Sequence, residues 1–352
     1  MMRAPTFRYH APKSVAEAAK ILREEGPTAK PLAGGTDLVP NLKRRHQTPS
    51  VLVSLRRLDE LRAVTSGGEL TLGAGLNLSA VTRTGELGPA RRALTIAASK
   101  VATPHIRNSA TLGGNLCLDT RCNYYNQNYE WRQAIDFCKK APGPDGTAKQ
   151  EVTVGTCWVA PSSPRCWAVS SSDTAPALIA LGAEVTLVSA EGERRIPLHE
   201  LYHDDGMAYL TKKHDELLTA VHLPALGEGW KSTYWKLRRR GSFDFPVLGV
   251  GAAFRFEGDV VAEARVTLGA VASYPVSVPT DELLGKPLSD EAIEAFAAGA
   301  ARPAKPLDNT DYHLSWRKRM CTAYIAGALK ELRGDPPGLL ARTAARLPIA
   351  AS

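Results

Sequence analysis

Cysteines are the residues of this sequence best suited to chemistry, because five of the six fall within one short segment. These five are Cys117, Cys122, Cys138, Cys157 and Cys166, and the sixth is Cys321. The N-terminus lacks the apolar stretch of a secretory signal, so we expect a cytoplasmic protein with reduced thiols. Clustered cysteines in a reducing compartment form metal or redox sites more often than disulfides.

Four of these cysteines, Cys122, Cys138, Cys157 and Cys166, are the candidate metal ligands. They stand 16, 19 and 9 positions apart, without the closely spaced cysteine pairs of structural zinc sites. Four thiolates on an irregular loop can hold a 4Fe–4S cluster, and the metal bonds would order that loop. The residue types alone leave a cluster, a zinc ion and unliganded thiols as open alternatives.

The other two cysteines are left out of this candidate site. Cys117 lies two residues after a Gly-Gly-Asn sequence and is expected to belong to that glycine loop. Cys321 falls in a helical pattern, where a small buried side chain is the simplest interpretation.

Two glycine pairs form the second group of candidate binding residues. Residues 32–38 read Leu-Ala-Gly-Gly-Thr-Asp-Leu after a predicted strand, and residues 110–115 read Ala-Thr-Leu-Gly-Gly-Asn. Glycines let the backbone turn sharply and bring its N–H groups to a phosphate, while threonine adds a donor. Neither loop matches the nicotinamide or ATP fingerprint. Either pair alone could be a simple turn, but two similar loops favour one pyrophosphate held between them.

Short helices and strands must position these loops. Helical patterns cover residues 15–25, 38–45, 94–101, 174–181, 289–301 and 314–333, and strand patterns cover 29–32, 51–55, 70–72, 183–188, 216–223, 233–237, 247–256 and 260–272. The mixture predicts an α+β or α/β first domain. Residues 119–172 break the pattern and are expected to form an irregular functional insertion.

Composition excludes several classes of protein. The excess of 44 Lys and Arg over 36 Asp and Glu gives a net charge of +8, but it is dispersed in short runs. No long basic arm or RNA-binding motif accompanies it, so nucleic acid is not the expected partner. A solvated surface and a patch for an acidic protein or phosphate-rich ligand stay open. No apolar run is long enough for a membrane-spanning helix.

Four motifs resemble those of the FAD-binding medium subunits of molybdenum hydroxylases. They are the two glycine motifs, Ser-Asp-Thr-Ala-Pro-Ala-Leu at 172–178 and Tyr-Trp-Lys-Leu-Arg at 234–238. The resemblance spans nearly the whole chain. It implies an α+β fold with a two-part FAD-binding domain (1–60 and 61–229) that carries the irregular insertion at 119–172. A C-terminal domain of a small antiparallel sheet with helices (230–335) and a tail (336–352) would follow.

The resemblance also implies which residues bind FAD. They are Leu32, Ala33, Gly34, Gly35, Thr36, Asp37 and Leu38 in the first loop, Ala110, Thr111, Gly113, Gly114 and Asn115 in the second, and Val101, Ile106, Asp173 and Lys236 near the ring. Considered alone, Asp173 could be a helix N-cap and Lys236 a surface charge. No side chain of this chain is assigned as a catalytic acid or base.

The insertion is similar to that of one branch of the family, the 4-hydroxybenzoyl-CoA reductases, whose flavin subunit carries an extra 4Fe–4S cluster. The resemblance assigns Cys122, Cys138, Cys157 and Cys166 as cluster ligands, although the stretch 147–156 is longer than expected for that branch. It implies electron transfer from reduced ferredoxin through the cluster and FAD to 2Fe–2S and molybdopterin sites on partner subunits. The complex would be a heterohexamer of three subunit types that removes the phenolic hydroxyl of 4-hydroxybenzoyl-CoA.

Two alternatives stay open at this point. One is the FAD subunit of a CO- or xanthine-type dehydrogenase without a cluster, in which electrons flow outward. The other is a non-enzymatic RNA- or CoA-binding module with structural zinc.

Overall fold

The computed structural model describes residues 3–141, 143, 155–310, 312–338 and 340. The helices of this part are α1 Val15–Glu25, α2 Leu38–Lys43, α3 Leu78–Val81, α4 Arg92–Lys100, α5 Pro104–Arg107, α6 Leu112–Leu116, α7 Tyr129–Ala134, α8 Thr174–Ala180, α9 Asp290–Ala300 and α10 Leu314–Arg333. Its strands are β1 Arg8–His10, β2 Ala29–Leu32, β3 Val51–Ser54, β4 Val64–Ser66, β5 Leu70–Gly73, β6 Glu184–Ser189, β7 Gly192–Pro197, β8 Leu217–Leu223, β9 Trp230–Leu237, β10 Leu248–Glu257, β11 Val260–Gly269 and β12 Val276–Val278. None of the described helices is long and apolar enough to cross a lipid bilayer.

The N-terminal sheet is parallel, with its three strands in the order β1-β3-β2. Helix α1 makes the crossover from β1 to β2, and it starts where Ser14 Oγ accepts a 3.1 Å hydrogen bond from the Glu17 amide. The apolar face of α1 buries Ala18, Ala19 and Leu22 against this sheet. The first glycine loop follows directly from the end of β2.

The middle of the chain forms a five-stranded antiparallel sheet in the order β4-β5-β8-β6-β7. Helices α4 and α8 pack together against β9, β10 and β11, and their apolar side chains join the core of the five-stranded sheet. Leu94 and Ile96 of α4 and Leu178 of α8 are completely buried there. The C-terminal end of α4 and the N-terminal end of α8 are therefore held rigidly, and both ends lie at the candidate site.

The C-terminal part is a four-stranded antiparallel sheet in the order β12-β11-β10-β9, with α9 and α10 on one face. Helix α10 approaches closely because Gly327 faces Trp235, where a Cβ would come within 2.4 Å of the indole ring. The Trp235 Nε1–H donates to Glu331 at 2.6 Å. This antiparallel sheet with two helices confirms the α+β organisation expected for the C-terminal part.

The structure contains the predicted helices and longer strands, and their ends differ from the predicted ends by a few residues. The short edge strands β1, β4 and β7 were not predicted, because they carry mostly exposed residues without an apolar alternation. The strand β12 alternates but has only three residues, too few for a pattern to predict it. In its described residues the insertion is irregular as expected, apart from α7 and the isolated backbone pairings of Arg121 with Val169 and Cys138 with Ala141. The longer stretch at 147–156 and the tail at 336–352 fall largely outside the described residues, and the four segment boundaries stay predictions.

Candidate functional site

The two glycine loops touch each other. A Cβ on Gly34 would lie 2.0 Å from the Ser109 carbonyl oxygen and 3.0 Å from the Ala110 Cα. The next residue, Gly35, has a φ of 69°, a left-handed conformation that glycine adopts without strain. Only glycine therefore allows the first loop, which is half-buried throughout, to lie against the second.

The second loop is fixed by its own side chains. Thr111 Oγ1 accepts a 3.1 Å hydrogen bond from the Gly114 amide, and the Gly113 amide donates to the Ala74 carbonyl at 2.8 Å. A Cβ on Gly113 would stand 2.8 Å from the Ala74 Cβ. Each loop runs into the first turn of a helix, α2 or α6. The amides at the start of α6 already bond within the protein, because Leu112 donates to the Leu76 carbonyl and Gly113 and Gly114 donate as described. Backbone donors for a diphosphate are therefore expected from the first loop, which the second loop supports.

The buried side-chain amide of Asn115 connects the second glycine loop to the end of the insertion. Its Oδ1 accepts from Ser172 Oγ at 2.9 Å, from Thr174 Oγ1 at 2.7 Å and from the Thr174 amide at 3.2 Å. Asn115 ends the glycine motif and Thr174 begins α8, so the chain returns from the insertion to the place where it left.

A fully buried ion pair lies beside this junction. Lys236 Nζ contacts the Asp173 carboxylate at 2.8 Å, and the Tyr234 hydroxyl donates to the other carboxylate oxygen at 2.8 Å. Burial raises the pKa of Asp173 and lowers the pKa of Lys236, while their attraction opposes both shifts. Asp173 stands at the N-cap position of α8, as predicted, but its carboxylate makes no capping bond there. The surface interpretation of Lys236 was wrong, since its side chain is 0% exposed.

Lys236 also organises the segment that follows α4. Its ammonium donates to the carbonyls of Lys100 at 3.0 Å and Asp244 at 2.9 Å. The Arg107 guanidinium holds the Val101 carbonyl at 2.7 Å. Val101 is nearly buried and Ile106 is half-buried. Their contact with a flavin ring, like the FAD contacts of the other residues named from the sequence, stays a prediction.

The four candidate cysteines come together in one buried pocket, although they are far apart in sequence. Cys122, Cys138, Cys157 and Cys166 all line it, whereas Cys117 and Cys321 do not. Backbone N–H groups point at the sulfurs; Cys122, for example, accepts from Tyr124 and Tyr125. Sulfur atoms that receive amide hydrogen bonds are typical of iron–sulfur sites.

The thiols are not arranged around a metal ion as they stand. In the described part of the chain, no group of three or more His, Cys, Asp or Glu side chains is placed to hold one. The Cys166 thiol instead hydrogen-bonds to Cys157 and lowers the pKa of Cys157. The cavity between the thiols is only about 10 Å³. The donor set therefore fits a Cys₄ centre chemically, although the four thiols do not surround a single ion.

A buried polar network connects the cysteine pocket to the rest of the molecule. The Asp119 carboxylate accepts from Lys140 Nζ at 2.7 Å, from the Tyr125 hydroxyl at 2.6 Å and from Gln47 Nε2 at 2.8 Å. Burial alone would raise the pKa of Asp119, but Lys140 and these hydrogen bonds lower it. No sequence pattern singled out Asp119 or Lys140, because the two lie 21 positions apart in an irregular segment.

A histidine fastens the insertion to the N-terminal part. His46 Nε2 donates to the Gln127 carbonyl at 3.0 Å, and its ring lies 4.5 Å from the Tyr125 ring. Burial lowers the pKa of His46 from 6.5 to about 4. The folded protein therefore favours the neutral imidazole of His46.

We expect acid to weaken this contact. The unfolded chain binds the His46 proton more tightly, so the contribution to stability is complete above pH 6.5 and is lost as the pH falls toward 4. Urea unfolding midpoints over this pH range should fall less steeply for His46→Gln than for the unchanged protein. His105→Gln, which alters an exposed histidine, is the control. Equal slopes for all three proteins would contradict the assignment.

Two family models cover almost all of the described chain. The FAD-binding domain of molybdopterin dehydrogenases matches residues 5–226, and the CO dehydrogenase flavoprotein C-terminal domain matches residues 232–332. The chain thus belongs to the FAD-binding subunits of the molybdenum hydroxylase family. It is an FAD-binding oxidoreductase subunit, and the fold expected from the resemblance is confirmed.

Individual relatives agree with this family. The chain is 31% identical to the aldehyde oxidoreductase FAD-binding subunit of Escherichia coli, over 92% of this chain and 98% of that protein. It is 27% identical to the carbon monoxide dehydrogenase medium chain of Hydrogenophaga pseudoflava, over 92% and 96% of the two chains. The solved CO dehydrogenase from Oligotropha carboxidovorans has the same fold, with a TM-score of 0.76 at 23% identity over 95% of this chain and 100% of that chain.

Proposed function

We propose that this chain is the electron-transferring FAD subunit of a molybdenum-containing dehydrogenase. The observation that carries the proposal is the contact between the two glycine loops at Gly34, which leaves room for backbone but for no side chain. Bound FAD supplies the redox chemistry, and the chain binds and orients it. The relatives named as a medium chain and as FAD-binding subunits support a role within a larger complex. Its partners would be a molybdopterin-binding large subunit and a 2Fe–2S small subunit.

We further propose that the cysteine pocket holds a 4Fe–4S cluster. A cluster of this type takes one thiolate on each of four irons, so its ligands stand farther apart than ligands that share one ion. The absence of a preformed single-ion site among the described residues is therefore compatible with a cluster. The support is the convergence of four cysteines from across the insertion, together with the amide donors to their sulfurs.

A cluster in this pocket favours one finer function over the CO- and xanthine-type alternatives. A flavin subunit with a low-potential entry point suits a reductive enzyme of the 4-hydroxybenzoyl-CoA reductase type. The overall reaction consumes two electrons and two protons, breaks the phenolic C–O bond and gives benzoyl-CoA and water. The electron donor would be a reduced ferredoxin, and the net charge of +8 suits an acidic protein of that kind.

The cluster is tested by metal and flavin analysis of the chain purified without oxygen. We expect about four irons for each FAD. Replacement of Cys138 or Cys166 by serine should remove most of the iron and leave the flavin bound. Cys321→Ala is the control, since Cys321 lies in α10 away from the pocket. Full flavin without iron in the unchanged protein would exclude the cluster and leave the plain flavin subunit of the CO or xanthine type.

A further inference from the structure

Arg121 connects the cysteine pocket to the first glycine loop. It directly precedes Cys122 in sequence, and its backbone pairs with Val169 in both directions at 2.8 and 2.7 Å. Its guanidinium forms an ion pair with Asp37, the last loop residue before α2. Arg121 also donates to the Asn41 amide oxygen at 3.1 Å and lies 5.1 Å from the Phe245 ring.

The guanidinium of Arg121, like that of Arg132 in the same insertion, is buried although it carries a charge. Arg121 is only 5% exposed, and its Nε has no hydrogen-bond partner among the described residues. A buried cation of this kind is costly unless it is paired, and the Asp37 carboxylate is its partner. That carboxylate stands in the loop proposed to receive a diphosphate. An uncompensated carboxylate there would repel the ligand.

We propose that Arg121 couples the two centres, so that an occupied cysteine pocket strengthens FAD binding. This inference rests on the proposed cluster and on the proposed role of residues 33–38. Metal bonds to Cys122 would fix its sulfur and, through the adjoining peptide, the backbone of Arg121. The guanidinium of Arg121 then sets how well the charge of Asp37 is neutralised. By linkage, FAD must favour loading of the pocket by the same factor.

The experiment measures FAD affinity with the cysteine pocket empty and loaded. Flavin-free protein is titrated with FAD by fluorescence, before and after reconstitution with iron and sulfide, and iron content is measured in the same samples. We expect the loaded protein to bind FAD about 5- to 150-fold more tightly, the usual range of allosteric coupling. In Arg121→Gln, FAD binding should be weaker and the ratio of the two affinities should fall to about one.

The chain offers a matched control in Arg165→Gln. Arg165 directly precedes Cys166, as Arg121 precedes Cys122, but its ion-pair partner is Asp204, outside the glycine loops. This variant should keep the ratio of the unchanged protein. Asp37→Asn combined with Arg121→Gln removes both charges, so it should recover FAD affinity while the ratio stays near one.

The outcomes separate this inference from the function on which it rests. Loss of coupling in Arg121→Gln but not in Arg165→Gln supports it. Normal iron loading with a ratio of one in the unchanged protein overturns the coupling but leaves the cluster intact. An unchanged ratio in Arg121→Gln overturns the role of the arginine. Failure of the unchanged protein to take up iron overturns the cluster and the coupling with it.

Discussion

Replacement of Lys236 by methionine should lower the free energy of unfolding by about 3–5 kcal/mol, the range measured when one partner of a buried ion pair is removed. The substitution would leave the carboxylate of Asp173 in an apolar interior with only the Tyr234 hydroxyl as partner. It would also free the carbonyls of Lys100 and Asp244. Urea denaturation of the purified chain measures the loss.

The same strand provides the control for this prediction. Lys231 is an exposed lysine of β9, and Lys231→Met should change stability by no more than about 0.5 kcal/mol. Replacing both partners, as in Asp173→Leu with Lys236→Met, should recover much of the loss, because no buried charge remains. Full stability of the single Lys236 variant would show that Asp173 is neutral or hydrated in the folded protein.

Replacement of Gly34 by alanine should weaken FAD binding by on the order of 100-fold, which corresponds to about 2.8 kcal/mol. The new Cβ would stand 2.0 Å from the Ser109 carbonyl oxygen, so the two loops must separate. Because the obstructing atoms belong to the backbone, no change of side-chain rotamer can relieve the clash. Titration of the flavin-free protein with FAD gives the affinity, and circular dichroism checks that the chain remains folded.

Gly67→Ala is the matched control for the glycine prediction. Gly67 lies in the turn between β4 and β5, and a Cβ there would meet no atom within 4 Å. The control should bind FAD as the unchanged protein does. If Gly34→Ala also retained its affinity, the contact between the loops would not be the feature that holds the diphosphate.

The glycine loops could be recognised from the sequence because their signal is local. A short run of glycines indicates where the backbone can turn sharply and where it can come close to another group. The clustering of cysteines is a similar signal, and it brought out five of the six. The position of Cys117 beside the glycine loop then set it apart from the four that line one pocket, whose metal binding stays a prediction. The sequence could not reveal the hydrogen bond between Cys157 and Cys166, which depends on how the loop closes.

The ion pairs were beyond sequence reasoning for a physical reason. Asp173 and Lys236 are 63 positions apart, and each alone has the residue type of a surface charge. Only the packing of α8 and β9 brings them together and removes them from water. The pairing of Arg121 with Asp37 is of the same kind, since it joins two segments with no shared pattern. A residue's burial depends on the tertiary fold, and local propensity carries little information about it.

The hydrogen bonds from Ser172 and Thr174 to Asn115 have a consequence for the history of this protein. The long segment between Asn115 and Ser172 begins and ends at neighbouring points. A short connection could therefore replace it without shifting any strand of the three sheets. One recombination event could therefore add or delete the segment as a unit. Ancestors with and without the cysteine pocket could share one flavin scaffold.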